Sequence, residues 1–248
     1  MIPAAPAAPL LERIERMGAS GALRVAQVCA DDRAQPQHVA DALAADPARA
    51  ANSSFYGLSG RVGDLRRAVL VVGFRGVQGV ATLAATGVDG GADPAWWRAS
   101  ARTAAAARLL APRFDVPAQE AFAAGLLADV GVALLRAHDP AAAVHAHGPG
   151  GLEAERETFG VDHVELVVRL AEAFLLPPAL TDGVAEHHSP RPLTAPGRCL
   201  ATSVALGDGR HPSAVELLAE GAVVAGEVEA LVEDVDDRAE ALARALAG

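Results

Sequence analysis

The stretch from Gln119 to Leu135, QEAFAAGLLADVGVALL, constrains this chain more than any other. Phe122, Leu126, Val130 and Leu134 recur every four positions, which lays apolar side chains along one side of an α-helix. The spacing predicts one amphipathic helix with a wide buried face. Such a stripe has to be covered, and the rest of the sequence offers helices to cover it, because no segment alternates convincingly with a period of two. The chain is therefore expected to be all-α. Hydrophobic residues make up 51% of it but aromatics only 4%, so the core must be built mostly from Ala, Leu and Val. Alanine, the strongest helix former, favours packed helices over strands. A chain of 248 residues can bury a substantial core as one large domain or two lobes.

Charge excludes several classes of partner. The formal net charge is −10 and the isoelectric point is near 5.2, so bulk attraction for phosphate backbones or anionic lipid is absent, and neither nucleic acid nor membrane is an expected partner. Every basic residue is arginine, which points to GC-rich codon usage. Cys29 and Cys199 lie far apart and are too few for a disulfide framework or a four-thiolate zinc site; both are expected to be reduced core thiols. The N-terminal MIPAAPAAPLLERIERM lacks a basic start and a continuous apolar run, so it does not read as a signal peptide. No run is expected to approach the ~20 apolar residues of a membrane span. A cytoplasmic location is the expectation.

Taken in order, Leu10, Leu11, Ile14 and Met17 form a first apolar stripe, and helices are expected over about 22–30 and 37–45, the latter ended by Asp46-Pro47. The polar turn Asn52-Ser53-Ser54-Phe55-Tyr56-Gly57 follows. A helix is expected to start near Asp64, and another runs from Arg75 to Ala85 with Val77, Val80, Ala81 and Ala84 inward. Thr86 to Asp93, TGVDGGAD, is the clearest break in the chain. Pro94 suits a first helical position and opens a helix through Trp96, Trp97, Ala101, Ala105 and Leu109. After the Gln119 helix, the segment from His138 to Gly151 reads as a punctuated connection, with His145 and His147 in or beside a loop. Asp162 with Glu165 matches a capping box. Further helices are expected from Ala179 to His188, near Arg198 to Leu206, and from a second capping box at Ser213 and Glu216, leading into an acidic helical end.

Three groups of residues give this order a familiar form. Asp46-Pro47 with Asn52-Ser53-Ser54-Phe55-Tyr56-Gly57 is the first. Leu65-Arg66-Arg67-Ala68-Val69 with Val72-Gly73-Phe74-Arg75 is the second. The third comprises Trp97-Arg98-Ala99-Ser100, Gly125 to Gly131 (GLLADVG), Asp162-His163 and His187-His188-Ser189-Pro190. Together these resemble the HDOD family, bacterial regulatory domains related to the metal-dependent HD phosphohydrolases, over about residues 10–192. The chain departs from the pattern at Ala48–Ala51, where the family has a longer helical segment before Asn52. The resemblance implies a two-lobed all-α fold: an HDOD domain over 1–192, with lobe 1 at about 10–86 and an HD-phosphohydrolase-like lobe 2 at about 94–192. Residues 193–248 are then a helical C-terminal extension packed on it.

The resemblance also implies what the chain does. An HD phosphohydrolase needs imidazoles and carboxylates converging on metal ions that activate water. Here the first histidine slot falls at Ala99 and the His-Asp pair at Ala128-Asp129, and an alanine methyl has no electron pair to donate. The relict pocket comprises Ala99, Ala128, Asp129, His163, His187 and His188, with no catalytic residue, metal or cofactor expected. Its best geometric expectation is a hydrogen bond from His163 or His187 to Asp129. The expected role is non-enzymatic signal transduction, by docking another regulatory protein or by sensing a small ligand such as a nucleotide. The alternative is a residual metal-dependent phosphohydrolase using Asp129, His163, His187 and His188. Arg66, Arg67 and Arg75, with Trp96 and Trp97, form a candidate interaction surface, weighed against a solvated helix face for the arginines and a core anchor for the tryptophans. His187 and His188, at a helix end, have a plainer role in the favourable field of the helix dipole.

Overall fold

The computed structural model describes residues 94–146, 151–210 and 212–247, together with positions 9–12, 14, 75, 78, 79, 82 and 86. No strand occurs among the described residues, and the protein is all-α. Ten helices follow one another from Pro94: α1 (Pro94–Leu110), α2 (Ala118–Leu127), α3 (Val130–His138), α4 (Pro140–Ala146), α5 (Leu152–Phe159), α6 (His163–Ala173), α7 (Pro178–Glu186), α8 (Ala195–Gly207), α9 (Pro212–Ala219) and α10 (Val228–Ala247). Positions 9–12 and 14 are helical, as are 75, 78, 79, 82 and 86. The helices expected over 22–30, 37–45 and 65–72, Arg66 and Arg67, the Asn52–Gly57 turn, Cys29 and the break at 87–93 all lie outside the described residues.

The Gln119 stretch is central, but it is not one amphipathic helix. Residues 121–128 are all buried, so the segment is enclosed on every side rather than along a stripe. It also divides into α2 and α3 at Ala128-Asp129, where Asp129 leaves helical geometry with φ −105° and ψ 15°. The apolar period runs through this break unperturbed: Phe122, Leu126, Val130 and Leu134 are all at most 4% exposed. That continuity is why the pattern does not reveal the division. By length and composition Ala118–His138 does reach the apolarity of a membrane span, contrary to expectation, with mean hydropathy 1.4 in its most apolar window; 72% of that window is buried inside the protein.

Small residues set how closely the helices approach. α1 packs along α2 and against α8 and α10. Gly125 of α2 lies so close to α1 that a Cβ there would stand 2.8 Å from the Ala104 Cα and the Thr103 carbonyl oxygen. Ala101, Ala104, Ala106 and Ala107 line the same helix and are fully buried. One core cluster joins these helices to Leu10 and Ile14, the N-terminal stripe.

Local chemistry explains most of the helix ends. The Asp162 side chain accepts the Glu165 N–H at the start of α6, as the motif suggests, and Arg156 pairs with Asp162. Thr194 caps α8 by accepting the Gly197 N–H at 3.0 Å. The end of α6 is held from a distance: the Gln78 amide donates to the carbonyls of Phe174 (3.2 Å) and Leu175 (3.1 Å). Gln78, Thr82 and Thr86 are fully buried, so the side of that helix visible here is polar, while Val77, Val80, Ala81 and Ala84 fall outside the described residues. Thr86 is helical, not the first residue of a break. Two other expectations need correcting. Ser213 lies inside α9 rather than capping it. The segment 138–151 contains α4, so His145 is helical, and a Pro140 start after Asp139 supplies the reason: the Asp139 carboxylate accepts the N–H groups of Ala141 (3.1 Å) and Ala142 (3.0 Å), a cap that the loop-like sequence obscures.

Cys199 is a free, buried thiol, and burial pushes it up to about 12. The packing at Gly125 makes a direct prediction. Gly125→Ala should destabilise the fold by about 1–3 kcal/mol, the usual cost of forcing extra volume into a packed core. Gly226→Ala, where an added Cβ meets nothing within 4 Å, should change stability by no more than about 0.5 kcal/mol. Urea-denaturation midpoints of the two variants check this.

Candidate functional site

The break between α2 and α3 is where a site forms. Asp129 occupies the N-cap position of α3, where an aspartate usually accepts backbone N–H groups, yet its side chain makes no capping hydrogen bond. Its main-chain carbonyl is held instead by the Trp96 indole N–H, at 3.3 Å. The half-buried carboxylate faces three imidazoles. Ligand atoms of Asp129, His163, His187 and His188 all lie within 4.8 Å of one another.

Each imidazole arrives by a different device. His163 is the first residue of α6, next to the Asp162 cap, and it comes close to Asp129 because Gly131 lets α3 press onto it. A Cβ at Gly131 would stand 2.8 Å from the His163 Cα and closer still to its carbonyl oxygen. His187 is the C-cap of α7, and its Nδ1 lies 2.6 Å from the Val184 carbonyl. This contact at the helix end employs only one ring nitrogen. His188 follows on the unwound turn and remains exposed. Its Nε2 is 2.9 Å from the Nε2 of His163. The three rings pack edge to face or tilted, with centroids 4.2–5.8 Å apart.

Glu155, which the sequence reading does not single out, completes the arrangement. It is 2% exposed, and its Oε2 accepts the His163 main-chain N–H at 2.8 Å and contacts the ring Nδ1 at 2.7 Å. A glutamate eight residues before a histidine has no local periodic relation to it. The turn at Gly160, with φ 78°, folds α5 back onto the start of α6.

The structure thus brings together four of the six predicted pocket residues. Ala128 is buried beside them in the core cluster, whereas Ala99 is exposed. The expected hydrogen bond to Asp129 is not formed: the Nε2 atoms of His163 and His187 are 3.8 and 3.7 Å from Oδ1, ion-pair rather than hydrogen-bond distances. Trp96 is buried, 9% exposed, and so is a packing residue and not part of an interaction surface; the Trp97 side chain lies outside the described residues. Arg75 is half-buried and donates to Gln78 at 3.1 Å.

Electrostatics follow the crowding. Burial, the largest single influence, pushes the Asp129 carboxyl up, but His187, His163 and His188 together outweigh it and hold the group below its ordinary value. The His188 imidazole is lowered to about 4, first by loss of water around its ring and then by His187, His163 and, weakly, Arg210, with Asp129 acting in the opposite sense. Asp208 is raised by burial, against the pull of Arg210, with Asp129 adding to the rise.

Comparison with known proteins agrees with this fold. The HDOD domain model matches residues 19–190, so the chain belongs to the HDOD domain family. No curated protein matches the chain. Among solved structures, a candidate phosphohydrolase from Shewanella amazonensis is similar at 23% identity and TM-score 0.68, over 95% of this chain and 98% of that one. A candidate signal transduction protein from Marinobacter aquaeolei shows 21% identity and TM-score 0.60 over 92% of this chain, which spans 59% of its length. An HDOD domain protein of unknown function from Geobacter sulfurreducens shows 20% identity and TM-score 0.53, over 91% and 90% of the two chains. At these identities the likeness concerns the fold.

The pH dependence has a definite sign. The unfolded chain takes up a proton on His188 near 6.5, while the folded chain resists it until about 4. The unfolded state therefore binds more protons in that window, and stability falls as pH drops through it. The Asp129 shift acts in the same direction at lower pH. The urea midpoint should fall between about pH 6.5 and about pH 4, and His188→Asn should flatten that slope.

Proposed function

We infer that this protein is a non-enzymatic regulatory module of signal transduction, in which the HD-type pocket serves recognition and not turnover. The observation that carries the reading is the state of the Ala128-Asp129 step. Asp129 is retained and oriented, while its neighbour is a methyl group with no exposed surface, so the position beside the carboxylate offers packing and no donor. With Ala99 and Ala128 in two of its imidazole slots, a water-activating centre is short of two of the ligands that would tune it for hydrolysis. Membership of the HDOD family supports the same reading, as does the similarity to a candidate signal transduction protein. Regulation then proceeds through a second protein, or through a small ligand at the pocket.

A metal-dependent phosphohydrolase is the second reading, favoured by the convergence of Asp129 with three histidines and by the similarity to a candidate phosphohydrolase. Turnover separates the two. The purified chain should hydrolyse p-nitrophenyl phosphate, bis-p-nitrophenyl phosphate and cyclic dinucleotides no faster than the blank, with manganese, iron or zinc supplied. Affinity capture from the native cell should recover a specific regulatory protein. Hydrolysis that vanishes in Asp129→Ala would establish the enzyme instead.

A further inference from the structure

We propose that Asp129, His163, His187 and His188 form a four-coordinate site for one divalent transition-metal ion of zinc-like chemistry. The proposal names a ligand for the pocket, and as a regulatory ligand site it rests on the reading given under Proposed function.

Ring orientation carries the argument. A carbonyl oxygen only accepts, so the 2.6 Å contact of His187 Nδ1 with Val184 puts a hydrogen on Nδ1, and the neutral ring then carries its lone pair on Nε2. That Nε2 is buried, on a side chain with no exposed surface, and has no hydrogen-bond partner. The Glu155 carboxylate fixes His163 in the same way, with the hydrogen on Nδ1 and the lone pair on Nε2. Both lone pairs face the Asp129 carboxylate across 3.7 and 3.8 Å. Donor atoms converging in this way on a carboxylate call for a cation between them, either a proton on a ring or a metal ion. His188 can place a hydrogen on His163 across their 2.9 Å contact, but nothing supplies one to His187.

The dimensions suit a small ion. Metal–ligand bonds of about 2.0–2.1 Å in a tetrahedron set donors roughly 3.3–3.4 Å apart. Three of the six separations, 2.9, 3.7 and 3.8 Å, straddle that value, and all six lie within 4.8 Å. Three imidazoles and one carboxylate favour zinc-type ions over magnesium or calcium, which take oxygen ligands. Glu155 and the Val184 carbonyl are the outer partners that hold metal-binding imidazoles in orientation. The exposed edge of His188 and the side chain of Asp129, 32% exposed, leave a path from solvent. Four protein donors fill a tetrahedron and leave no position for a reactive water, unlike catalytic zinc sites with three. The same geometry that binds the ion therefore argues against hydrolysis.

Cobalt(II) titration of the chelator-stripped full-length chain tests the site. The expected result is one equivalent bound, with the strong visible absorption of tetrahedral cobalt, displaced by zinc. Asp129→Ala and His188→Ala, both at partly exposed positions, should abolish the absorption while keeping the helical circular dichroism, and Glu155→Gln should weaken binding by about 10–100-fold. No binding by the wild-type chain, weak six-coordinate spectra, or folded variants that bind like wild type would each overturn the site. If metal binding fails while specific partner capture persists, only this site is refuted; if the ion binds and the chain also turns over phosphate esters, the regulatory reading is what fails.

Discussion

The site depends on how near the backbone of α3 can come to the first turn of α6. Gly131 and His163 are in contact through main-chain atoms, a separation that any side chain at 131 would prevent. This single approach sets the spacing between Asp129, two residues before the glycine, and the imidazole at the head of α6. Trp96 fixes the other side by holding the Asp129 carbonyl, so the carboxylate is clamped through its own backbone while its oxygens stay available. Close-packed interiors transmit such constraints because they have little room to relax.

The alanine-rich composition serves the same end. Where α1 and α2 meet, Gly125 and Ala104 bring two backbones together with almost nothing between them, and helix after helix is packed on small side chains. Among the described residues, Phe122, Phe159 and Phe174 are buried in this core. The cost is that such a core draws its stability from many short contacts rather than a few large side chains, each sensitive to added volume.

Much of this was readable in the sequence. The helix class follows from periodicity, and the Asp162 cap follows from a local motif of which the structure shows the Asp162 half, the Glu165 carboxylate accepting instead from Arg169. The assembly of Asp129, His163, His187 and His188 was legible only through the family pattern, since no local rule relates positions 34 residues apart, such as 129 and 163. What was not legible has physical causes. The break at Ala128-Asp129 is invisible because the apolar period continues across it. Glu155 and Trp96 act on groups far along the chain, so their roles exist only once the helices are folded. α4 was hidden by Pro140, which looks like a stop but begins a helix whose cap is Asp139. Trp96, weighed from the sequence as a core anchor or a partner contact, is buried in the core.

Glu186, His187 and His188 are consecutive, and they face two different tasks. The Glu186 carboxylate gathers the N–H groups of Leu193 and Thr194, at 2.8 and 2.9 Å, and the Thr194 hydroxyl, while the next two side chains reach into the histidine cluster. A single turn of chain is thus a hinge pin shared by two mechanisms. The turn that carries the two imidazoles also carries the anchor from which α8 departs, so the start of the C-terminal helices is fixed one residue away from the pocket.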